Sequence, residues 1–388
     1  MKRIIALLFA VCLCLGLTAC GDPIPAELTL KNLKIAVICS GVEEEDYSAA
    51  AAILDQLESA GTSTGLKKNQ LTFYSEVSIN NIALAEEAIE ECVLEGNALI
   101  FSTNEQYAPA MKRMAEKYPR VTFIGLGDAD PSLKNYFAFH IKMYEGAYLC
   151  GLTAGMQSEK GKLGLLVSTP ETDPETCQIA NAFLLGAQVI NKKATLDVYC
   201  INTTKSDAAA ESAIQALHNN GCDTVLIAAE SAKALETAQK NNMHITTLFL
   251  DAAQKHGSVT YAAIPRFTDV FVDGIQAVLT ENGTPYFNDG YYGCGDSVLS
   301  CSSGSFADKE ISGDIYLLPD TALSALFKAD QDVFSGVQGK WKNGVFTTSP
   351  AAITDANGNE KIAAGAGKPT KETLDGMTWL IEGIVLHK

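Results

Sequence analysis

Residues 143–168, MYEGAYLCGLTAGMQSEKGKLGLLVS, contain the pattern on which the fold prediction rests. The alanine- and leucine-rich first part predicts a helix over 145–161, and the apolar run after it predicts a strand over 162–168. A helix that leads directly into a short apolar strand is typical of a parallel sheet covered by helices. The same unit recurs on both sides of this stretch, so the prediction extends to most of the chain.

Short apolar runs and longer helical stretches alternate from residue 33 to residue 283. The predicted strands cover residues 33–40, 69–76, 98–103, 121–127, 136–141, 162–168, 195–201, 224–230, 245–251 and 259–267. The predicted helices cover residues 47–61, 82–96, 107–119, 145–161, 177–191, 207–221 and 268–283. This order predicts an α/β protein with two lobes, each a parallel sheet flanked by helices, and a cleft between them.

The strands form two sets, which gives the expected lobe boundaries. We assign residues 33–140 and about 264–292 to a first lobe, and residues 141–263 and about 293–388 to a second. The last part of the chain is expected to be a small β appendage on the second lobe. Asn-Gly pairs predict two hairpins in it, within residues 341–346 and 353–362.

Ligands of such sheets bind beyond the carboxyl ends of the strands. The expected binding loops therefore follow Ile38, Phe101, Ile124, Val167, Ile201, Ile227 and Leu250.

The N-terminal segment has the features of an export signal. Lys2 and Arg3 precede an apolar run of about fourteen residues, which is too short to span a bilayer as a helix. The Leu-Thr-Ala-Cys order at residues 17–20 is similar to a lipobox, so we interpret residues 1–19 as a lipoprotein signal peptide and Cys20 as the lipidated N-terminus. An ordinary secretory signal is the alternative, and both place the mature protein outside the cytoplasm.

The mature protein is acidic. The chain has a formal charge of −17, which becomes −19 once Lys2 and Arg3 are removed. This acidity argues against nucleic acid or an anionic membrane surface as a partner. We therefore expect attachment to the extracytoplasmic face of the cell membrane through acyl chains such as palmitate on Cys20, with residues 20–32 as a tether.

Eight cysteines follow Cys20, namely Cys39, Cys92, Cys150, Cys177, Cys200, Cys222, Cys294 and Cys301. An even number in an exported protein allows disulfides, but the spacing is wide and includes no Cys-x-x-Cys pair. Several lie in apolar segments, where a free thiol packs as a small hydrophobe. We favour buried free thiols and regard Cys294 and Cys301 as the pair to test for a bridge.

Four stretches together resemble the basic membrane lipoprotein family, also called PnrA-like. They are LKIAVICSGVEEEDYS (33–48), AMKRMAEKYPRVTFIGLGD (110–128), the stretch quoted above, and AFLLGAQVINKKATLDVYCIN (182–202) followed by ALHNNGCDTVLIAA (216–229). The resemblance covers roughly residues 33–300. It implies a type I periplasmic-binding-protein fold with three crossovers between the lobes, a purine nucleoside-like ligand in the cleft, and an ABC permease as partner.

The resemblance also implies ligand contacts. The family has an acidic-x-x-Phe-Asn stretch after the first strand, which is occupied here by Glu44, Asp46, Tyr47 and Ser48. Tyr47 would cover a base, and Asp251 matches the carboxylate that grips ribose hydroxyls. A solvated acidic loop at a helix start and a helix cap are the respective alternatives. Residues 202–207, NTTKSD, lack the aromatic that the family has there, so the ligand's identity stays open.

Four further candidate ligand contacts follow strand ends or lie in the expected crossover. Ser102 and Asn104 offer a hydroxyl and an amide, with loop capping as the alternative. Asp128 could bind the ligand or serve only in a turn. Arg266 lies in the crossover, where it could reach the ligand or hold the hinge.

The sequence does not predict an enzyme. GDSV at 295–298 is similar to the nucleophile block of GDSL-type hydrolases, but it lies late in the chain and no Asp-x-x-His follows it. The histidines are scattered, and residues 355–360 lack the later ligands of a calcium loop. We therefore expect no catalytic residue, metal or cofactor. Besides solute binding, a surface sensor or interaction lipoprotein with the same fold remains an alternative.

Overall fold

The structure is a computed structural model. It describes residues 23–40, 49–75, 77–79, 81–202, 206–250, 252, 256–280, 283–304, 313–327 and 331–387.

Strands and helices alternate in the first third of the chain. In order they are β1 (Ile35–Ile38), α1 (Ala49–Ser63), β2 (Leu71–Tyr74), α2 (Ile82–Leu94), β3 (Leu99–Ser102), α3 (Ala108–Lys117), β4 (Thr122–Leu126) and β5 (Tyr136–Ile141). β1 and β3 are buried at all four positions, as expected for strands covered on both faces.

The alternation continues through the middle of the chain. The elements are α4 (Met143–Gln157), β6 (Lys162–Val167), α5 (Pro174–Ile190), β7 (Thr195–Cys200), α6 (Asp207–Asn219), β8 (Thr224–Ala228), α7 (Ala232–Lys240), β9 (His244–Leu248) and β10 (Val259–Pro265). Asp173, Ser206 and Ser231 cap α5, α6 and α7 with their side-chain oxygens. These caps fix the points at which the loops after the strands turn into helices.

The remaining elements are shorter and more mixed. They are α8 (Thr268–Leu279), β11 (Tyr291–Tyr292), β12 (Leu299–Ser303), α9 (Asp314–Leu326), β13 (Val337–Lys342), β14 (Val345–Pro350), β15 (Ile353–Thr354), β16 (Glu360–Ile362), α10 (Lys371–Asp375) and β17 (Ile384–His387). The two hairpins predicted from the Asn-Gly pairs are confirmed as β13–β14 and β15–β16. None of the described helices has the length and apolar character that a membrane span requires.

Two sheets form two lobes. The first has the order β11-β5-β4-β3-β1-β2, and its pairs are parallel. The second has the order β12-β10-β9-β8-β6-β7-β17, in which β12 runs antiparallel to β10. The chain crosses between the sheets after β5, after β10 and after β11. The predicted α/β fold with two helix-covered sheets is therefore confirmed.

Helices α4 and α5 approach each other backbone to backbone at three glycines. A methyl group at Gly151 would overlap the carbonyl oxygen of Phe183, and one at Gly186 would overlap that of Tyr148. A methyl group at Gly155 would meet a third carbonyl oxygen at 2.7 Å. Because only glycine lacks a Cβ, these positions allow the two helices to touch. Two glycines of the stretch at 143–168, Gly151 and Gly155, therefore serve this contact.

The C-terminal residues are built into the second lobe rather than only attached to it. β17 pairs with β7 from Ile384 to His387, and Leu374, Met377 and Ile381 are buried in the same core as α4 and α5. The elements α9, α10 and β17 have no counterpart among the predicted helices and strands. Their contacts mean that removal of residues 340–388 would expose the core of the second lobe.

A buried ion pair joins this C-terminal part to the first crossover. The Asp332 carboxylate is fully buried and lies 2.9 Å from the Lys142 ammonium group. It also accepts a hydrogen bond of 2.8 Å from the Tyr144 hydroxyl. Since removal of one partner would leave an uncompensated buried charge, the segment around Asp332 is firmly held.

The eight described cysteines are free thiols, six of them buried. The Sγ atoms of Cys294 and Cys301 lie 3.8 Å apart. This is the pair that the sequence analysis selected for testing.

The contact between α4 and α5 gives the first prediction. Gly151→Ala is expected to lower the free energy of unfolding by about 1–3 kcal/mol, because the added methyl forces the helices apart. Gly257→Ala is the control, since a methyl there meets no atom within 4 Å. Urea unfolding followed by circular dichroism measures both variants. Equal stability of the two would contradict the close packing.

Candidate functional site

A cleft of about 900 Å³ lies between the two sheets, at the carboxyl ends of their strands. Residues that follow strands of the first sheet form one wall, among them Ser40, Asn104 and Asp128. Residues that follow strands of the second sheet form the other, among them Ser168 and Phe249. The volume is in the range of small-molecule sites.

Five predicted site residues lie outside the described part of the chain, namely Cys20, Glu44, Asp46, Tyr47 and Asp251. Of the other four, the structure brings Asn104 and Asp128 into the cleft. Ser102 and Arg266 are not among the residues that line it.

The Asn104 side chain both caps a turn and faces the cleft. Its carbonyl oxygen accepts a hydrogen bond of 2.9 Å from the backbone N–H of Gln106, at the start of the 3-10 turn Glu105–Tyr107. Its amide group therefore remains as a donor toward the cleft. The capping alternative for Asn104 is therefore observed, and its contact with a ligand stays a prediction.

Ser102 and Arg266 contact other groups of the protein and do not line the cleft. Ser102 is 1% exposed, and its hydroxyl lies against Gly125 of the neighbouring strand β4. Arg266 lies in the second crossover, where its backbone N–H donates to the carbonyl oxygen of Val298 at 2.8 Å. Its guanidinium is 3.9 Å from the Asp269 carboxylate.

The charged side chains of the cleft are mostly acidic. The carboxylates that line it are those of Glu105, Asp128, Asp173, Glu175, Glu230 and Asp375, against Lys112 and His140. Asp128 is compensated, because it forms an ion pair with Lys371 and lies 3.0 Å from the His140 ring nitrogen. Hydrogen bonds from these two partners lower the pKa of Asp128 to about 2.

Three of these carboxylates form no direct ion pair among the described residues: Glu105 from the first lobe, and Asp173 and Glu175 from the second. The more distant charges of His140 and Lys371 do act on Glu105. Burial, with the charges of Asp173 and Glu105, raises the pKa of Glu175 to about 8. Burial also raises the pKa of Glu105. The cleft therefore disfavours anions and offers carboxyl groups to a ligand that carries N–H or O–H donors.

Phe249 adds an aromatic surface to the cleft. It packs against the cores of both lobes, and its φ of +64° places a bulky residue in the left-handed region. Such conformations are rare and concentrate at functional sites. The backbone N–H of Phe249 donates to the carbonyl oxygen of Ala263 at 3.1 Å, which holds the conformation.

The loops after Val167 and Leu250 are among the predicted binding loops, but Asp173, Glu175 and Phe249 are not among the predicted ligand contacts. Asp173 and Glu175 stand in an Asp-Pro-Glu segment, which is also an ordinary helix start. Asp173 does cap α5, by accepting from the backbone N–H of Glu175 at 2.8 Å. Phe249 precedes the selected Asp251 by two positions, and its backbone conformation has no signal in the sequence.

Nothing in the described ranges suggests a metal centre, since no group of three or more His, Cys, Asp or Glu side chains could hold an ion. The cleft combines an aromatic and aliphatic surface with hydrogen-bonding groups from both lobes. This arrangement suits reversible binding of a small organic solute.

Two helix-covered parallel sheets with a ligand-sized cleft between them define a two-lobed solute-binding protein. The family model for PnrA-like substrate-binding proteins of ABC transporters matches residues 33–284, and the chain belongs to this family. The family is one of substrate-binding proteins rather than of enzymes.

One curated relative and two solved structures are similar to this chain, the structures in their fold. The chain is 27% identical over 320 residues to a purine-binding protein of Brucella abortus, covering 82% of this chain and 83% of that one. A solute-binding protein of an ABC transporter from Conexibacter woesei has a similar structure, with a TM-score of 0.57, 15% identity and coverage of 75% and 96%. A transcriptional activator of the comK gene from Bacillus halodurans gives a TM-score of 0.59, 17% identity and the same coverage.

The raised pKa of Glu175 gives the second prediction. Between about pH 4.3, where an unfolded glutamate titrates, and pH 8, the folded state holds one proton more than the unfolded state at this residue. This residue therefore makes stability fall as the pH rises through that window. Glu175→Gln is expected to remove this contribution and to be more stable than the wild type at pH 8 by several kcal/mol, since each pKa unit corresponds to about 1.4 kcal/mol.

Thermal melts between about pH 5 and pH 8 measure the difference. Glu171→Gln is the matched control, because Glu171 lies in the same loop but is not among the cleft-lining residues. A parallel pH dependence of Glu175→Gln and wild type would contradict the assignment.

Proposed function

We propose that the protein is an extracytoplasmic solute-binding lipoprotein that binds a purine base or nucleoside in the interlobe cleft and delivers it to an ABC permease. The observation that carries the ligand class is the presence, in the cleft that Phe249 also lines, of carboxyl groups from both lobes that form no direct ion pair among the described residues. A purine offers N–H donors at its edge and a flat apolar face, and a ribose adds hydroxyl donors.

The charge of the cleft supports an uncharged ligand over a nucleotide. A phosphate group would lie among Glu105, Asp173 and Glu175, which form no direct ion pair among the described residues, although the charges of His140 and Lys371 act on Glu105. Those that are ionised repel an anion in a partly desolvated site, whereas Glu175, with its pKa raised to about 8, is protonated at neutral pH. Ribose hydroxyls can instead donate to carboxylate oxygens, which is the role proposed for Asp251.

The relatives support the same ligand class. The relative from Brucella abortus is named as purine-binding and matches most of both chains. Tyr47, from the stretch that resembles the family's pocket, is proposed to cover the second face of the base opposite Phe249. With no aromatic in residues 202–207, these two rings are the proposed base contacts.

Ligand titration gives the third prediction. Adenosine, guanosine and inosine are expected to raise the melting temperature in a saturable way, by an amount equivalent to about 2.7 kcal/mol at 100 times Kd. The corresponding monophosphates are expected to give no comparable shift, because their phosphates meet the acidic cleft. Differential scanning fluorimetry measures both.

Asp251→Ala should abolish the shift, whereas Glu171→Ala, outside the cleft lining, should retain it. If nucleosides and purine bases leave the melting temperature unchanged while a sugar or an amino acid raises it, the ligand class is wrong.

Membrane attachment is proposed to rest on Cys20, because the signal-like segment and the Leu-Thr-Ala-Cys order precede it. Cys20→Ala is expected to move the protein from the membrane fraction to the soluble extracytoplasmic fraction, without a change in nucleoside affinity. Cell fractionation with immunoblotting checks this. A Cys20→Ala protein that stays with the membrane would contradict the anchor.

A further inference from the structure

The helix α10 is fixed to the second lobe although it borders the cleft. Its Leu374 is buried in the core of that lobe, and the Leu374 carbonyl oxygen accepts a hydrogen bond of 2.9 Å from the Gln178 side chain. The following residues are held in the same way, because the Asn181 amide donates to the Trp379 carbonyl oxygen at 2.9 Å. Gln178 and Asn181 belong to α5, so α10 moves with α5.

Two side chains of α10 reach across to the first lobe. The Lys371 ammonium group forms an ion pair with Asp128, which follows β4. The Asp375 carboxylate accepts a hydrogen bond of 2.6 Å from the Tyr291 hydroxyl, on β11. Lys371 also lies 2.9 Å from Asp375, one helical turn away. The two contacts therefore belong to a single connected group.

The first-lobe side chains that contact Lys371 and Asp375 also contact one another. His140 and Tyr291 lie opposite each other in the pairing of β5 with β11, and their rings stack with centroids 4.6 Å apart. The His140 ring nitrogen is 3.0 Å from Asp128. Asp128, His140 and Tyr291 thus present one rigid surface to Lys371 and Asp375. We call these five residues the interlobe network.

We propose that Lys371 is a positioning residue that fastens α10 to the first lobe and so holds the two lobes in the closed arrangement. The interlobe network needs the present orientation of the lobes, because its members stand on opposite sides of the cleft. A rotation of the lobes separates Lys371 from Asp128 and Tyr291 from Asp375. The network therefore shifts the equilibrium toward the closed form before a ligand arrives.

The interlobe network also determines which carboxylates of the cleft are available to a ligand. Lys371 compensates Asp128 and Asp375, so these carboxylates are less available to a solute than Glu105, Asp173 and Glu175. Through the closed fraction, Lys371 sets the apparent affinity, since a partly populated competent state weakens binding by that fraction. This consequence rests on the proposed function, whereas the effect on the lobes themselves does not.

The test compares ligand-free proteins by small-angle X-ray scattering. Lys371→Met removes the charge and keeps the length of the side chain, and it is expected to increase the radius of gyration of the ligand-free protein. Lys342→Met is the matched control, because Lys342 is an exposed lysine of the same C-terminal part, on β13, with no ion pair among the described residues. Its scattering is expected to equal that of the wild type.

Salt and a second variant separate a fastening role from a local one. About 1 M NaCl reduces the Debye length to about 3 Å, so the wild type should expand toward Lys371→Met, which itself should not respond. Asp128→Asn breaks the same ion pair from the other lobe and should give the same expansion. Expansion in Lys371→Met alone would mean a local defect of α10 and would overturn the proposal, as would unchanged scattering in both variants.

Ligand kinetics provide the readout that depends on the proposed function. The dissociation rate of a bound purine nucleoside is expected to rise about fivefold in Lys371→Met, the upper end for a partly exposed ion pair. If the scattering changes but no nucleoside binds, the fastening stands and the proposed ligand fails. If nucleosides bind but the scattering does not change, the fastening fails and the ligand stands.

Discussion

The glycine contact between α4 and α5 is the constraint on which the second lobe depends. Glycine at residues 151, 155 and 186 lets the two backbones touch, which fixes the position of α5 relative to the sheet below it. The N-terminus of α5 carries Asp173 and Glu175 into the cleft. Its middle turns bind the C-terminal segment through Gln178 and Asn181. One helix contact therefore positions both a wall of the cleft and the helix that bridges it.

The charge of the cleft is the basis of the ligand selectivity proposed here. Protein interiors disfavour unpaired carboxylates, and the raised pKa of Glu175 expresses that cost. A ligand with N–H and O–H donors relieves it, whereas an anion adds to it. The compensated pair of Asp128 with Lys371 lies at the same cleft but serves the arrangement of the lobes. Neighbouring carboxylates thus have different tasks, which depend on whether a cation lies beside them.

Local periodicity was enough to predict the two sheets, because strands such as β1 and β3 are short, apolar and buried on both faces. It was also enough to place the binding site at the strand ends, since that follows from parallel topology. It missed α10, which has a single apolar residue, and β17, whose apolar run is too short to identify a strand by itself. Their positions depend on contacts with α5 and β7, nearly two hundred residues earlier in the chain.

The individual site residues were harder to predict for the same reason. Asn104 and Asp128 could be selected because they follow strand ends and carry hydrogen-bonding side chains, and both line the cleft. Ser102 was selected on the same grounds, but its side chain points into the sheet toward Gly125. Phe249 and Lys371 had no local signal, because one depends on a backbone angle and the other on a partner 243 positions away.

Competition measured by native mass spectrometry tests the ligand assignment most directly. The protein, freed of bound solutes and offered an equimolar mixture of nucleosides, nucleotides, sugars and amino acids, should gain the mass of one purine nucleoside or base per chain. Asp251→Ala should lose that adduct. A dominant adduct with a sugar, an amino acid or a nucleotide would contradict the assignment of the cleft.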